Sequence, residues 1–305
     1  MPTPLFAALP DSAVRTELHQ LVDRVRAEFG YEPMPESLLA ATRDPSRAPL
    51  VAISTDGFAA ATIARSDSFH PAYRQLGVVA TTEADPTSIA AVIDAALAEG
   101  APSAEVVAWI PGADPRIVGA LQRVGFRVDR EQHQMRVPLP PSTRPVWPAG
   151  IRVEPFRVGT DETAWLAVNN RAFHNHPDQG GWIASQLDRR MAEDWFDPAG
   201  FLLAWRGDEL VGFCWTKVHT EPERLGEIFV IGVDPDAQGL GLGRTLVTAG
   251  LEFLAAERGC PIGVLYVAAN NTAAIPLYES MGFTIGRTDT ALVLDATPLD
   301  AADRR

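Results

Sequence analysis

The chain has 305 residues, of which 46% are hydrophobic and 21% are charged. This length and composition are typical of a globular protein with one large domain or two of ordinary size, and they exclude a mainly disordered chain. The formal net charge of −13 at pH 7 argues against nucleic acid or an anionic membrane as the main partner.

The two cysteines, Cys214 and Cys260, fit neither a disulfide framework nor metal-ligand spacing, so no metal site is expected. No apolar run reaches the roughly 18 residues of a membrane-spanning helix, and the N-terminus lacks the pattern of a signal peptide. We therefore expect a cytoplasmic monomer. Only one of the 26 basic residues is a lysine, Lys217, and arginine cannot replace a compact ammonium at a tight site.

The two halves of the chain resemble each other. Residues 108–126 and 265–283 each contain an apolar run, a polar turn, a short helix and a Gly-Phe pair, and they align without a gap at an offset of 157. Between the halves, residues 137–150 contain five prolines, which favour extended backbone and predict a semi-rigid linker. The sequence therefore predicts two duplicated domains, residues 1–136 and 151–305.

The second half is predicted to alternate strands and helices. Strands are predicted where β-branched and aromatic residues dominate, and helices where apolar residues recur about every 3.6 positions. The predicted strands are residues 150–156, 200–207, 209–219, 227–233, 263–268 and 290–295, and the predicted helices are residues 160–173, 183–194, 242–258 and 272–281. Hairpins mixed with crossover helices predict an α+β (mixed α/β) fold with a mixed central sheet flanked by helices.

A glycine-rich loop, Gln238-Gly239-Leu240-Gly241-Leu242-Gly243, lies between a predicted strand and a predicted helix. Free N–H groups at a helix start bind anions, and glycine lets the backbone approach phosphate oxygens. A nucleotide P-loop would need glycine at position 238 and lysine at 244, and a dinucleotide fingerprint would need glycine at 244. Gln238 and Arg244 exclude both. The loop predicts a site for another phosphate-bearing ligand, with a plain glycine-rich turn as the alternative.

Two motifs occur in order along this half. The loop follows the pattern Gln/Arg-x-x-Gly-x-Gly/Ala, and the segment Asn271 to Phe283 follows Asn-x-x-Ala-x-x-x-Tyr-x-x-x-Gly-Phe. Both resemble the GCN5-related N-acetyltransferase (GNAT) family, in which the first pattern holds the pyrophosphate of acetyl-CoA. Residues 168–182, 195–205 and 212–219 further resemble the C-terminal half of the mycothiol synthases, which have two tandem GNAT domains.

The resemblance implies an N-acetyltransferase with acetyl-CoA as co-substrate and a small-molecule amine as acceptor, the cysteine amine of cysteinyl-glucosaminyl-inositol. It implies that Glu227 is the general base and Tyr278 the general acid. The implied acetyl-CoA contacts are Ile231, Gly232, Val233, Gln238, Gly239, Leu240, Gly241, Leu242, Gly243, Arg244, Asn271 and Ala274. The implied acceptor contacts are Glu36, Asp178, Lys217, Glu227 and Tyr266.

These roles agree with the chemistry of acetyl transfer. In a regular strand Glu227 would share one face with Phe229 and Ile231, placed to accept a proton directly or through water. Backbone N–H groups of Gly232 and Val233 could bind the thioester carbonyl if the strand bulges or splays. A tyrosine such as Tyr278 can protonate a leaving thiolate. The alternatives are a solvated strand-end carboxylate and a half-buried core tyrosine.

The first half departs from the family pattern. At the place of the glycine loop, residues 80–92 contain no glycine, and Glu83 and Asp85 would repel a pyrophosphate. Leu121 stands where the tyrosine is expected, so we expect this half to be non-catalytic. Two other interpretations stay open, a tandem acetyltransferase for another small amine, such as an aminoglycoside-like sugar or a peptide amine, and a CoA-binding module without turnover.

Overall fold

The computed structural model describes residues 5–8, 12–44, 49–65, 73–100, 104–174, 179–221 and 223–296. The chain forms two compact units that are not continuous in sequence. Unit 1 contains residues 1–133, 268–270 and 287–305, and unit 2 contains residues 134–267 and 271–286. The domain boundaries predicted at residues 136 and 151 stay a prediction.

Unit 1 is built on a sheet whose strands follow the order β1-β2-β3-β4-β5-β12. Its elements are β1 (Leu5–Ala8), α1 (Ser12–Phe29), α2 (Glu36–Ala41), β2 (Leu50–Ile53), β3 (Ala59–Arg65), β4 (Tyr73–Ala80), α3 (Pro86–Gly100), β5 (Glu105–Ile110), α4 (Pro115–Arg123), the first part of β6 (Arg127–Pro138) and the end of β12 (Thr284–Leu294). Neighbouring strands are antiparallel except β4 and β5, which are parallel and are joined by α3. Buried apolar side chains form a core on each face of this sheet.

Unit 2 repeats this plan in the order β6-β11-β10-β9-β8-β7. Its elements are the end of β6, β7 (Ile151–Pro155), α5 (Glu162–Ala172), α6 (Ala184–Met191), β8 (Phe201–Arg206), β9 (Glu209–His219), β10 (Leu225–Val233), α7 (Leu242–Ala256), β11 (Ile262–Ala268), α8 (Ala274–Glu279) and the start of β12. Here β10 and β11 are the parallel pair, joined by α7. The α+β class and the mixed sheet predicted from the sequence are confirmed.

Helices cover both faces of the unit 2 sheet. On one face α7 lies close to the strands, since a Cβ added at Gly250 would be 2.7 Å from the sulfur of Cys214. On the other face Trp165 of α5 makes edge contacts with Phe213 and Trp215, at ring-centroid distances of 5.4 and 5.8 Å. The two faces therefore offer different surroundings, aliphatic below α7 and aromatic below α5.

The proline-rich segment after β6 contains no helix or strand through residue 150. It packs on unit 2, because Leu139 and Trp147 contact the core below α7 and the carbonyl of Val146 accepts a hydrogen bond from Thr245 Oγ1 at 3.2 Å. The segment is therefore held against the unit that follows it.

Candidate active site

The parallel strands β10 and β11 separate halfway along their length. They pair only over Leu225–Ile228 and Ile262–Leu265, although β10 continues to Val233 and β11 to Ala268. A cleft of about 350 Å³ lies beside the separated ends. It is lined by Ile231, Val233, Gln238, Gly243, Val247, Asn271, Ala273, Ala274, Leu277 and Tyr278. Unit 2 therefore contains an open slot next to its glycine loop.

A β-bulge changes the direction of the side chains along β10. The pairing of β10 with β9 shifts register between Ile228 and Val230, which inserts one extra residue. Beyond the bulge Ile231 pairs with Cys214, whose sulfur faces α7, and Ile231 lines the cleft. The prediction that Glu227 and Ile231 share one face is wrong, because it assumed a regular strand.

The backbone N–H groups beyond the bulge alternate between β9 and the open cleft. The amide of Asp234 donates to the carbonyl of Val211 at 2.9 Å, so it points toward the β9 side. Alternation then directs the N–H groups of Val233 and Ile231 toward the cleft and that of Gly232 toward β9. The donor role predicted for Val233 fits this direction, whereas that predicted for Gly232 does not, and the other N–H group that faces the cleft is that of Ile231.

Glu227 lies on the face of the sheet opposite α7, in the paired part of β10. It stands across from Lys217 on β9 and Val264 on β11. Its side chain is 9% exposed, and its Oε2 lies 2.6 Å from Nε2 of His219. A buried carboxylate with a single lysine opposite and a histidine as partner is unlike the solvated strand-end carboxylate that was the alternative interpretation.

Lys217 is buried among aromatic rings. Its Nζ lies 4.7 Å from the ring centroid of Trp195 and 5.9 Å from that of Phe229. The rings of Trp195 and Phe229 contact each other edge to face at 4.9 Å. The negative faces of aromatic rings attract an ammonium. These two rings therefore hold the Lys217 ammonium beside β10, the strand that carries Glu227.

The glycine loop leads into α7 with its backbone donors free. Gly239 and Gly241 have φ values of +82° and +75°, in the left-handed region that only glycine adopts readily. Within the described residues, the N–H groups of residues 239–244 have no hydrogen-bond acceptor, and the first paired amide is that of Thr245. A Cβ added at Gly243 would meet no atom within 4 Å. The start of α7 is therefore an open anion site.

Side-chain contacts hold this loop at both ends. The buried carboxylate of Asp234 accepts a hydrogen bond from Arg171 Nε at 2.8 Å and one from the amide of Asp236 at 3.1 Å. Arg244 contacts Ser280 through Nη2 and Oγ at 2.5 Å. The side chain of Leu240 is exposed. That of Leu242, the first residue of α7, is buried, so only the backbone of Leu242 could contact a ligand.

The predicted motif after β11 forms the far wall of the cleft. Asn271 Oδ1 accepts from the amide of Ala274 at 3.0 Å and thereby begins α8. Tyr278 is almost buried against Phe283, with ring centroids 5.8 Å apart. Burial, with a smaller contribution from nearby Cys214, raises the pKa of Tyr278 to about 12. The phenol therefore keeps its proton at neutral pH.

The remaining predicted acceptor contacts fall in different places. Tyr266 lies on β11 two residues after Val264, on the same face as Glu227, and its hydroxyl accepts from Gln134 Nε2 at 2.7 Å. Glu36 is the exposed first residue of α2 in unit 1. Asp178 lies outside the described residues. Their roles stay predictions.

Two features of the site were missed from the sequence. His219 follows Lys217 by two residues on a predicted strand, so period-two alternation could have placed it on the same face. Trp195 begins one of the segments that resemble the mycothiol synthases, residues 195–205, but nothing in that segment indicated that its ring contacts Lys217. Across the described residues, no group of three or more His, Cys, Asp or Glu side chains could hold a metal ion. Among the same residues, no helix is long and apolar enough to cross a membrane.

The matching region of unit 1 has different side chains. Strands β4 and β5 also separate after Leu76 and Ala108. Gln75 pairs with Val107, which aligns with Val264 at the offset of 157, so Gln75 occupies the place of Glu227. The cavity here is only about 20 Å³, and Tyr31 is among the residues that line it.

The start of α3 in unit 1 is closed by its own side chains. Asp85 Oδ1 accepts from the amides of Thr87 and Ser88 at 2.7 and 3.1 Å. Arg116 Nη1 donates to the carbonyls of Thr81 and Ala84, each at 3.1 Å. The contacts of Asp85 therefore engage amide donors at the start of α3, whereas the corresponding donors at the start of α7 are free.

Comparisons with known proteins agree with this geometry. Residues 165–283 match the model of the acetyltransferase (GNAT) family. The mycothiol acetyltransferase of Streptomyces bingchenggensis is 50% identical over 186 residues, which cover 59% of this chain and 60% of that protein. The mycothiol acetyltransferase of Geodermatophilus obscurus is 50% identical over 190 residues, which cover 60% of this chain and 61% of that protein. The chain thus spans less than two thirds of the length of these curated relatives.

Solved structures extend the likeness in fold to the whole chain. A GCN5-related N-acetyltransferase from Sphaerobacter thermophilus has a TM-score of 0.70 and 21% identity, with 98% of each chain covered. A tandem GNAT protein from the clavulanic acid biosynthesis pathway has a TM-score of 0.69 and 17% identity, with 97% of this chain and 100% of that chain covered. Residues 165–283 therefore resemble the acetyltransferase (GNAT) family, and the chain has the fold of a tandem GNAT protein.

Proposed function

We propose that this protein transfers an acetyl group from acetyl-CoA to the cysteine amine of cysteinyl-glucosaminyl-inositol, which yields mycothiol. The observation that carries the proposal is the 50% identity to relatives named mycothiol acetyltransferase. In this proposal the protein is a cytoplasmic monomer that acts on small molecules without a metal.

The donor side fits acetyl-CoA. Free N–H groups of residues 239–244 offer the hydrogen bonds that a pyrophosphate needs, and Arg244 adds a positive charge at the same helix start. The cleft continues along the apolar side chains of Ile231, Val247 and Leu277, which suits a long, uncharged arm. When bound, acetyl-CoA supplies the activated acetyl thioester.

The chain's own groups supply the rest of the chemistry. The N–H groups of Ile231 and Val233 face the cleft and can donate to a carbonyl oxygen as negative charge develops on it. Glu227 takes a proton from the attacking amine, directly or through a water molecule. Tyr278, protonated at neutral pH, gives its proton to the departing thiolate.

The acceptor side is the face that carries Glu227. Lys217 and Tyr266 lie on this face and can hydrogen-bond to the hydroxyl groups of a sugar or an inositol. Asp178 and Glu36 are the further acceptor contacts, and these two roles rest on the sequence resemblance alone. Unit 1 acts as a non-catalytic partner domain.

The test is an acceptor panel with the purified full chain and acetyl-CoA. The panel contains cysteinyl-glucosaminyl-inositol, the same pseudodisaccharide without cysteine, free cysteine, an aminoglycoside and a peptide amine. CoA is quantified by chromatography, because the proposed acceptor carries its own thiol. We expect the highest kcat/KM for cysteinyl-glucosaminyl-inositol. An equal or higher value for another amine would assign a different acceptor, and CoA binding without turnover of any amine would overturn the enzyme assignment.

A further inference from the structure

Within the described residues, the side chain of Glu227, the proposed base, makes a polar contact with His219 that has no assigned purpose. His219 is the last residue of β9 and shares its face with Lys217. In the β9–β10 register Glu227 stands opposite Lys217 and diagonal to His219, and the Nε2–Oε2 distance of 2.6 Å joins the two side chains. The histidine therefore contacts one specific oxygen of the carboxylate.

The direction of this hydrogen bond follows from the chemistry of the carboxylate. An ionised carboxylate only accepts hydrogen bonds, so the ring must donate through Nε2–H. Within the described residues, Nδ1 of His219 makes no hydrogen bond to the protein, so the ring contacts Glu227 through Nε2 alone. The side chain of His219 is 27% exposed against 9% for Glu227, so the ring joins a buried carboxylate to the surface.

The surroundings of Glu227 leave this orientation to His219. On β11 the neighbour is the apolar Val264, and on β9 the Lys217 ammonium is drawn toward Trp195. Arg190 of α6 lies over the ring of Phe229, at 6.0 Å from its centroid. The β9–β10 turn adds Glu223, which Arg136 pairs at 2.5 Å. Among the hydrogen bonds resolved for the Glu227 side chain, the one to His219 fixes its rotamer.

We propose that His219 is a positioning residue for the acetyl transfer reaction. It donates to Oε2 of Glu227 and thereby turns Oε1 toward the acceptor amine. This inference rests on the proposed function, because it takes Glu227 to be the base. A base that loses its fixed direction reacts through fewer productive encounters, and a displacement of about 1 Å can cost about 100-fold in rate.

Three variants test the proposal. His219→Leu and His219→Phe remove the donor, and His219→Gln keeps an N–H donor that cannot titrate. We expect the first two to lower kcat about 10- to 100-fold, with the KM for acetyl-CoA unchanged. His219→Gln should restore most of the lost kcat and keep the pH profile of the wild type. His133→Leu is the matched control, since His133 is also a half-buried strand histidine, with one hydrogen bond, to Thr288. It should leave kcat unchanged.

A double variant separates this inference from the proposed function. If His219 acts through Glu227, then Glu227→Gln/His219→Leu should be as slow as Glu227→Gln alone. If the double variant showed the product of the two single losses in kcat, the positioning role would be overturned. A His219→Gln variant as slow as His219→Leu, or a His219→Leu variant as fast as the wild type, would overturn it as well. A Glu227→Gln variant with wild-type kcat would instead overturn the base assignment itself.

Discussion

The parallel strand pairs β4–β5 and β10–β11 have the same backbone arrangement, but different side chains surround them. Each pair is joined by a helix, and each separates after four paired residues. The cavity is about 350 Å³ in unit 2 and about 20 Å³ in unit 1. The separation of the strands therefore belongs to the fold, and the side chains around it decide whether a site exists.

Three differences distinguish the two regions. Glu227 and Tyr278 in unit 2 correspond to Gln75 and Leu121 in unit 1, so unit 1 lacks both the proposed base and the proposed acid. The free amides at the start of α7 correspond to amides that Asp85 already engages at the start of α3. Each difference can be tested by giving one unit the residue of the other.

The largest effect is expected when the base is replaced by its unit 1 counterpart. Glu227→Gln keeps the shape of the side chain and removes its ability to accept a proton, so kcat should fall by at least about 100-fold. Steady-state kinetics with saturating acetyl-CoA measure the change. Glu252→Gln on α7 is the control and should be silent. A Glu227→Gln variant with normal turnover would remove the functional contrast with Gln75.

The next effect is expected at the acid. Tyr278→Phe removes only the hydroxyl and moves the position toward Leu121, so kcat should fall about 100-fold with little change in the KM for acetyl-CoA. Tyr31→Phe in unit 1 serves as the control. Equal rates for Tyr278→Phe and the wild type would show that another group protonates the thiolate.

The same variant has a pH-dependent effect on stability. The pKa of Tyr278 rises from 10.0 to about 12 in the folded protein, so the unfolded chain loses this proton first. Below pH 10 the residue leaves the free energy of unfolding unchanged, and between pH 10 and about 12 the wild type should lose about 3 kcal/mol relative to Tyr278→Phe. Urea unfolding of both proteins across this range measures the difference, and parallel curves would contradict the raised pKa.

A smaller effect is expected at the glycine loop. Gly241→Ala places a side chain in a left-handed conformation beside the free amides, and we expect about a tenfold higher KM for acetyl-CoA and a cost of about 1 kcal/mol in stability. Gly259→Ala is the matched control, because Gly259 has a φ of +61° with open space at the other end of α7. It should show the stability cost without the change in KM. Equal KM values for acetyl-CoA in Gly241→Ala and the wild type would argue against binding of acetyl-CoA at the start of α7.

The smallest effect is expected when unit 1 receives the base. Gln75→Glu restores the carboxylate, but the cavity at the separated ends of β4 and β5 stays about 20 Å³ and Asp85 still engages the α3 amides. Calorimetric titration should therefore give one acetyl-CoA per chain, as for the wild type, with kcat unchanged. Two bound molecules per chain would show that the contrast between the units is weaker than their side chains indicate.

Local patterns in the sequence predicted most of the elements of unit 2. The periodic apolar residues placed the start of α7 at Leu242, where the structure has it. β12 begins at Thr284 instead of the predicted residue 290, because its first residues are polar and their pairing depends on distant strands. A bulge in β10 was considered only as a condition for free N–H groups at Gly232 and Val233, and its position between Ile228 and Val230 was not predicted. It depends on how β9 and β10 register in three dimensions, and it reverses the face of every residue after it.

The sequence motifs predicted the residues around the cleft but not how they are supported. Gln238, Gly243, Asn271, Ala274 and Tyr278 line it, as the spacing of the motifs indicated. The sequence predicted neither the hydrogen bond between His219 and Glu227 nor the rings around Lys217. These contacts join residues of different strands and loops, whereas a sequence pattern describes one element at a time. The sequence predicted only that Asp85 would repel a pyrophosphate. Its hydrogen bonds to the α3 amides and the contribution of Tyr31 to the small cavity needed the folded chain.

The position of β12 has a consequence for how the protein is made. Residues 290–294 pair with β5 and complete the unit 1 sheet, although they follow all of unit 2 in the sequence. Domains usually fold during synthesis from the N-terminus onward. Here β5 remains an unpaired edge until the ribosome has added all of unit 2, and such edges promote association with other chains. The unit 1 sheet is therefore completed only after the residues of unit 2 have been translated.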